Sequence, residues 1–109
     1  MVHFITYELV GPRMPGEAHK VAAAIKALGS CYAFHGSAWI LESELSNEAI
    51  CERLQPLLRP TDRLVVTRIH RDWVGANMPP AEADWLASRN FTSLSDPSPV
   101  VRPMHATGS

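Results

Sequence analysis

The chain has 109 residues, of which 46% are hydrophobic and 19% are charged. This composition fits one globular domain and leaves no length for a second. Ten Lys and Arg residues against eleven Asp and Glu residues give a formal net charge of -1. Proteins held on nucleic acid mainly by phosphate contacts carry a basic excess, so any such role here depends on a local patch.

The small size also bears on oligomeric state and compartment. A domain of this length buries only somewhat more than about 60% of its unfolded surface, which raises the expectation of a homodimer. Cys31 and Cys51 form no C-x-x-C motif and are too few for a disulfide framework, so we expect two buried free thiols. The start, Met1 to Phe4, lacks the basic region of a signal peptide, and no apolar run reaches membrane-spanning length. We therefore expect a cytoplasmic protein that does not contact the membrane.

Residues 2–9 predict the first strand, because they are rich in β-branched and aromatic side chains and are followed by Gly11 and Pro12. Side chains on a strand alternate between two faces. The more apolar face, which we expect to pack under helices, carries Ile5, Tyr7 and Leu9. Glu8 then lies at the carboxyl end of the strand, on the other face.

The next segment predicts a helix and a hairpin. Apolar residues recur at helical spacing over residues 16–28, and Gly29 supplies a C-terminal stop. Residues 30–35 and 37–43 are two strand-like runs. Gly36 separates them, where a tight turn or bulge is least costly.

The remaining elements are a helix, a strand and a short helix. Ser46 is a suitable N-cap for a second amphipathic helix, which Pro56 shortens and Pro60 ends. A β-branched run over residues 64–69 predicts the fourth strand. A third helix is predicted from Pro80 to Arg89, since proline and acidic residues suit a first helical turn.

This order predicts an α+β fold of the ferredoxin-like βαββαβ type. It has an antiparallel four-stranded sheet with two helices on one face, plus a short C-terminal helix. We assign residues 1–91 to this domain and expect residues 92–109, with three prolines and little periodicity, to be a flexible Pro/Ser-rich tail. The open face of the sheet needs a cover. We expect a second copy of the sheet to supply it, with the third helix reaching across to the partner.

Four segments, residues 4–9, 25–29, 34–42 and 62–66, occur in an order and spacing that resemble the CRISPR-associated protein 2 superfamily. That superfamily includes the virulence-associated D-type ribonucleases. The similarity is greatest to its uncharacterised stand-alone members, which carry a similar aromatic-x-x-Ser-x-Trp hairpin, and it covers roughly residues 2–75.

The resemblance implies metal-dependent cleavage of phosphodiester bonds at the two-fold axis of a homodimer. Each subunit contributes an acidic residue at the end of its first strand, and Glu8 fills that position here. Two carboxylates about 4 Å apart repel by roughly 4 kcal/mol at an effective dielectric constant near 20, and Mg²⁺ or Mn²⁺ between them reverses the sign. Such an ion orients a phosphate and activates a water. Ser37 matches the family's hairpin serine, so we expect Glu8 and Ser37 as catalytic residues and Glu8 as the metal ligand.

Four arginines are the candidate contacts to RNA or DNA: Arg13, Arg63, Arg68 and Arg71. Their guanidinium groups supply the local positive charge that a phosphate backbone requires. A solvated edge is the competing interpretation, because aspartates flank three of these residues and edge strands commonly carry charge against aggregation.

Two other functions remain open. The alternative to a nuclease is a non-catalytic homodimeric module that has lost the metal site and binds nucleic acid or a protein. The near-neutral charge favours it, as does Glu8, because the family usually has Asp at this position and the longer side chain displaces the carboxylate. A third hypothesis is an oxygenase that uses no cofactor, which requires a deep apolar cavity lined by Trp and His.

Overall fold

The computed structural model describes residues 1–91 of the chain, so the predicted tail at residues 92–109 lies outside the described residues. The described part contains four strands and three α-helices. Their bounds are β1 Val2–Glu8, α1 Pro15–Lys26, β2 Ser30–His35, β3 Ala38–Glu42, α2 Asn47–Leu54, β4 Arg63–Ile69 and α3 Pro80–Ala87. The sheet has the order β2-β3-β1-β4, and all neighbouring strands are antiparallel. The predicted ferredoxin-like α+β fold with a short C-terminal helix is confirmed.

Local sequence signals explain where α2 begins and ends. The Ser46 hydroxyl accepts a hydrogen bond of 3.0 Å from the Ala49 backbone N–H, which satisfies a donor that the first turn leaves free. Pro56 lies in a 3-10 turn, Gln55–Leu57, that follows the helix directly. Proline has no N–H to continue the α-helical pattern, so the helix ends at Leu54, earlier than the predicted end at Pro60.

The main core lies between one face of the sheet and the helices α1 and α2. Its buried residues are Ile5, Tyr7, Val21, Ile25, Trp39, Leu41, Ile50 and Leu54. The predicted helix-facing side of β1 is confirmed for Ile5 and Tyr7, whereas Leu9 is only partly buried against this core. Glu8 is on the opposite face and exposed.

The second face of the sheet is partly covered by α3 of the same chain. Leu86 and Phe91 are buried there against Val2 and Ile40, and the Trp85 ring meets the Tyr32 ring edge-on, with centroids 4.8 Å apart. Within this chain α3 therefore packs on its own sheet, and its contact with a partner stays a prediction. Its apolar side chains pack against an apolar face of the sheet in the same chain, and this burial removes them from water.

The rest of the second face stays open. Phe34 is 50% exposed and Val65 is 57% exposed, and both lie on the side of the sheet that also carries Glu8. None of the helices in residues 1–91 is long and apolar enough to cross a membrane.

Gly29 is required where the chain passes from α1 into β2. A Cβ atom at this position would clash with the backbone carbonyl oxygen of Glu42 in the central strand β3. We expect Gly29→Ala to lower the free energy of unfolding by about 1–3 kcal/mol, because the paired strands must separate to admit the methyl group. Urea unfolding followed by circular dichroism measures the change.

Gly16→Ala is the matched control. A Cβ at Gly16, inside α1, meets no atom within 4 Å, so helix propensity should raise stability by up to about 1 kcal/mol. Equal effects of the two substitutions would contradict the steric explanation for Gly29.

Candidate functional site

An open groove of about 710 Å³ lies at the end of the sheet where β1 finishes and β4 begins. Its lining comes from the last residues of β1, Ala18 of α1, the turn between β2 and β3, and the first residues of β4. Five polar or charged side chains line it: Thr6, Tyr7, Glu8, Ser37 and Arg63. The groove therefore brings together both predicted catalytic residues and one of the four predicted nucleic-acid contacts.

Strand register explains why residues so distant in sequence meet here. Glu8 and Arg63 are direct partners in the antiparallel pairing of β1 with β4, so their side chains leave the sheet on the same face. The Tyr7 backbone N–H donates a hydrogen bond of 3.1 Å to the Ser37 carbonyl oxygen. That bond holds the hairpin turn against the end of β1 and sets Ser37 opposite Tyr7, the residue before Glu8.

Glu8 and Arg63 form an exposed ion pair. The guanidinium donates from Nη2 at 2.6 Å and from Nε at 3.1 Å, in both cases to Oε1 of Glu8. This hydrogen bonding raises the pKa of Arg63 above its ordinary value. The side chains are 56% and 79% exposed, respectively, so water screens the attraction and either partner can exchange for another charged group.

A buried carboxylate fixes the loop that follows β1. The Asp62 side chain is fully buried and accepts hydrogen bonds from two backbone N–H groups, Val10 at 2.9 Å and Arg59 at 2.7 Å. It also pairs with the guanidinium of Arg13, which is itself mostly buried. Since Val10 follows the end of β1 and Asp62 precedes β4, this carboxylate holds the two sides of the groove together.

Glu17 and Arg59 extend the same network. Glu17 accepts from Arg13 at 3.1 Å and from Arg59 at 3.0 Å, and Arg59 also donates to the Pro12 carbonyl oxygen at 3.0 Å. The backbone N–H of Met14 and the two guanidinium groups lower the pKa of Glu17. We call Arg13, Glu17, Arg59 and Asp62 the tether cluster. Sequence reasoning missed Asp62, although a polar residue that closes a Pro-containing turn is a signal for this role.

The four predicted nucleic-acid contacts do not form one patch. Arg63 lines the groove, whereas Arg13 is engaged in the tether cluster. Arg68 is opposite His3 in the β1–β4 pairing, on the face toward the helices, and its Nε is buried without a hydrogen-bond partner. Arg71 follows β4 at the other end of the strand, with its guanidinium 6.0 Å from the centre of the Phe91 ring.

His3 is a buried titratable residue away from the groove. Its Nδ1 lies 2.6 Å from Oδ1 of Asn47, and its Nε2 is buried without a partner. Burial lowers the pKa of His3 below its ordinary value. His3 therefore belongs to the packing of β1 against α2, at the end of the sheet opposite Glu8.

A second open groove, of about 500 Å³, lies near the end of β3, and Glu42 and Glu44 are among its lining residues. Neither of these two grooves, both formed within residues 1–91, is lined by Trp or His. The oxygenase hypothesis requires such a lining and finds no support in them.

The groove at Glu8 offers oxygen donors to a cation. Among residues 1–91, no group of three or more His, Cys, Asp or Glu side chains is placed to hold a metal ion. Mg²⁺ usually binds through one or two carboxylates and keeps several waters. Glu8 is the one carboxylate among the residues that line this groove, and its Oε1 already accepts from Arg63.

A scan against models of known protein families found no match to this chain, and a search of curated proteins found none either. The resemblance to the CRISPR-associated protein 2 superfamily thus rests on the residues quoted for it and stays a prediction.

Because of the tether cluster, we expect the free energy of unfolding to decrease at acid pH. Burial alone raises the pKa of Asp62, but the hydrogen bonds from Val10, Arg59 and Arg13 outweigh this effect, so its pKa lies below the ordinary value. The stabilisation is therefore present at neutral pH and is lost as the pH falls below about 4. We expect Asp62→Asn to lose about 2 kcal/mol at pH 7 and to show a flatter acid limb, in urea unfolding at a series of pH values.

The control is Asp84→Asn, at an exposed position of α3. It should keep the wild-type acid limb. An Asp62→Asn protein whose stability falls with pH as steeply as wild type would contradict the role given to this carboxylate.

Proposed function

We propose that this chain is a homodimeric, metal-dependent endonuclease of the CRISPR-associated protein 2 type, acting on phosphodiester bonds of RNA or DNA. The observation that supports this is that Glu8, Ser37 and Arg63 all line one groove. The three side chains supply a cation ligand, a hydrogen-bond donor and a guanidinium that pairs with phosphate. Cys31 and Cys51 are reduced cysteines, which suits the cytoplasm, where we place its action.

Each side chain has one role in this proposal. Glu8 of each protomer holds the divalent cation, which when bound polarises a phosphoryl oxygen and lowers the pKa of a bound water. The Ser37 hydroxyl donates a hydrogen bond to a phosphate oxygen and so orients the phosphodiester. Arg63 offsets the negative charge of the phosphate.

The proposed dimer uses the open part of the second sheet face. Phe34 and Val65 are exposed apolar side chains on the side of the sheet that carries Glu8. A second copy packed across this face buries both residues and brings two Glu8 carboxylates toward a shared axis. A single copy supplies only one carboxylate, so the metal site is incomplete without the partner.

Metal binding tests the role of Glu8. We expect wild-type protein to bind Mn²⁺ saturably with about one ion per dimer, because two carboxylates share it. Glu8→Gln keeps the shape of the side chain but removes the charge and should abolish binding. Isothermal titration calorimetry measures both, with Glu44→Gln as the control, since Glu44 is an exposed glutamate outside this groove. Equal binding by Glu8→Gln and wild type, or no binding by wild type, would sink the nuclease proposal.

The dimer has its own test. Val65→Lys places a charge in the proposed interface and should shift the protein from dimer to monomer at micromolar concentration, because a buried unpaired charge is costly. Light scattering coupled to size-exclusion chromatography gives the mass. Val74→Lys is the matched control, since Val74 is 95% exposed in the loop before α3. A monomeric wild type, or a dimer that survives Val65→Lys, contradicts this interface.

A non-catalytic binding module is the second candidate. The Glu8–Arg63 ion pair favours it, because the carboxylate that a cation needs is already satisfied by a guanidinium. Salt-sensitive binding of an oligonucleotide that is not cleaved, and that survives Glu8→Ala, would support this candidate. No binding at low salt would instead point to a protein partner.

A further inference from the structure

We propose that His3 makes the packing of α2 on the sheet sensitive to pH: the neutral imidazole holds Asn47, the first residue of α2, against β1, and protonation of the imidazole releases this end of the helix. We call the pair of His3 and Asn47 the His3 contact. It lies at the end of the sheet opposite Glu8, so the inference does not depend on the groove or on the proposed function.

The geometry of the His3 contact favours a neutral imidazole. His3 has no exposed surface, and its Nδ1 lies 2.6 Å from Oδ1 of Asn47. An amide oxygen only accepts hydrogen bonds, so Nδ1 carries the hydrogen and donates it. Nε2 is then the unprotonated nitrogen, and it is buried with no hydrogen-bond partner among residues 1–91. A second proton must therefore bind at Nε2, where no acceptor receives its N–H.

The surroundings of His3 also disfavour a positive charge. Arg68 is its direct partner in the pairing of β1 with β4, so both side chains leave the sheet on the same face. In the pairing of β1 with β3, its partner is the apolar Leu41. Asn47 lies in the first turn of α2, where the helix dipole is positive. The three carboxylates of α2 and of the loop before it are exposed, and the other ionisable side chains of α2 and of the end of β4 are a thiol and an imidazole: Glu44, Glu48, Glu52, Cys51 and His70.

These surroundings lower the pKa of His3 below its ordinary value. Burial has the largest effect, and the charges of Arg68 and of the N-terminal amine act in the same direction. Hydrogen bonding to Asn47 and to the Ser43 backbone opposes them without reversing the shift. The folded protein therefore takes up this proton less readily than the unfolded chain does.

Protonation weakens the His3 contact for two reasons. An imidazolium here has a buried N–H without an acceptor, and it lies beside the guanidinium of Arg68. Both are costly away from water. Separation of Asn47 from β1 admits water to the imidazolium and relieves both costs. Ile50 and Leu54 stay buried in the core further along α2, so the N-terminal end of the helix separates first.

Stability measured against pH tests the inference. The ordinary pKa of a histidine is 6.5, so below this pH the unfolded chain binds a proton that the folded protein does not. We expect the unfolding equilibrium constant of wild type to rise by up to about tenfold for each pH unit below about 6.5, in urea unfolding between about pH 7.5 and about pH 5. The effect of Asp62 falls below about pH 4 and does not overlap with this range.

Two substitutions in the His3 contact should remove this dependence for different reasons. His3→Gln keeps a side-chain N–H that can donate to Asn47, but it has no group that titrates in this range. Asn47→Asp puts a carboxylate next to Nδ1, which favours the charged imidazole and raises the pKa of His3. His19→Gln is the matched control, since His19 is exposed on α1, and it should keep the wild-type dependence.

Amide hydrogen exchange, measured by NMR relative to intrinsic rates, locates the release. The N–H groups of Ala49 and Ile50 both bond to Ser46 in the first turn of α2. Their protection should fall between about pH 7 and about pH 5.5, while that of the β1 amides is retained. An equal loss of protection in β1 and α2 would overturn the local release.

The variants decide the role of His3. A His3→Gln protein with the same pH dependence as wild type overturns the inference, and so does an Asn47→Asp protein with a steeper one. Where His3→Gln does not fold at neutral pH, the comparison of Asn47→Asp with wild type decides alone: loss of the dependence supports the inference, and an unchanged dependence overturns it.

Discussion

The site depends on one buried carboxylate. The Asp62 side chain is fully buried and is stabilised there by two backbone N–H groups and the guanidinium of Arg13. A carboxylate in this environment is costly unless its oxygens are satisfied, and these three donors satisfy them. Because the donors come from the loop after β1 and from the turn before β4, Asp62 holds both strand ends in place. Glu8 and Arg63, the last pair of the β1–β4 ladder, lie next to this anchor.

The second face of the sheet is divided between two tasks. At one end, α3 buries Val2 and Ile40 and completes a small second core within the chain. Elsewhere on this face, Val65 is exposed two residues after Arg63 in β4, and Phe34 is exposed in β2. Packing of α3 on the sheet stabilises this small domain. The uncovered part of the face leaves an apolar surface exposed. Because Glu8 and Arg63 carry opposite charges, this pair adds no net charge to the groove. The formal net charge of the whole chain is -1.

Local sequence patterns predicted most of the helices and strands, but they did not predict which surface α3 packs on. Alternation in β1 identified Ile5 and Tyr7 as core residues, and the Ser46 cap and Pro56 fixed the extent of α2. Trp85 and Leu86 of α3 pack against the second face of the sheet. The sequence of α3 does not specify whether that surface belongs to the same chain or to another copy, because both present identical residues. The structure places α3 on the sheet of its own chain.

Some features of the candidate site were predicted from the sequence, and others are visible only in the structure. The sequence by itself identified Glu8 and Ser37, through a resemblance that depends on residue order, and it identified the arginines by their charge. Only the tertiary structure paired Glu8 with Arg63, across 55 residues, and engaged Arg13 in the tether cluster. Periodicity assigns a side chain to a face of its own strand, whereas the register between distant strands is set by packing and by buried contacts such as those of Asp62. Which charges neutralise each other is therefore a property of the folded chain.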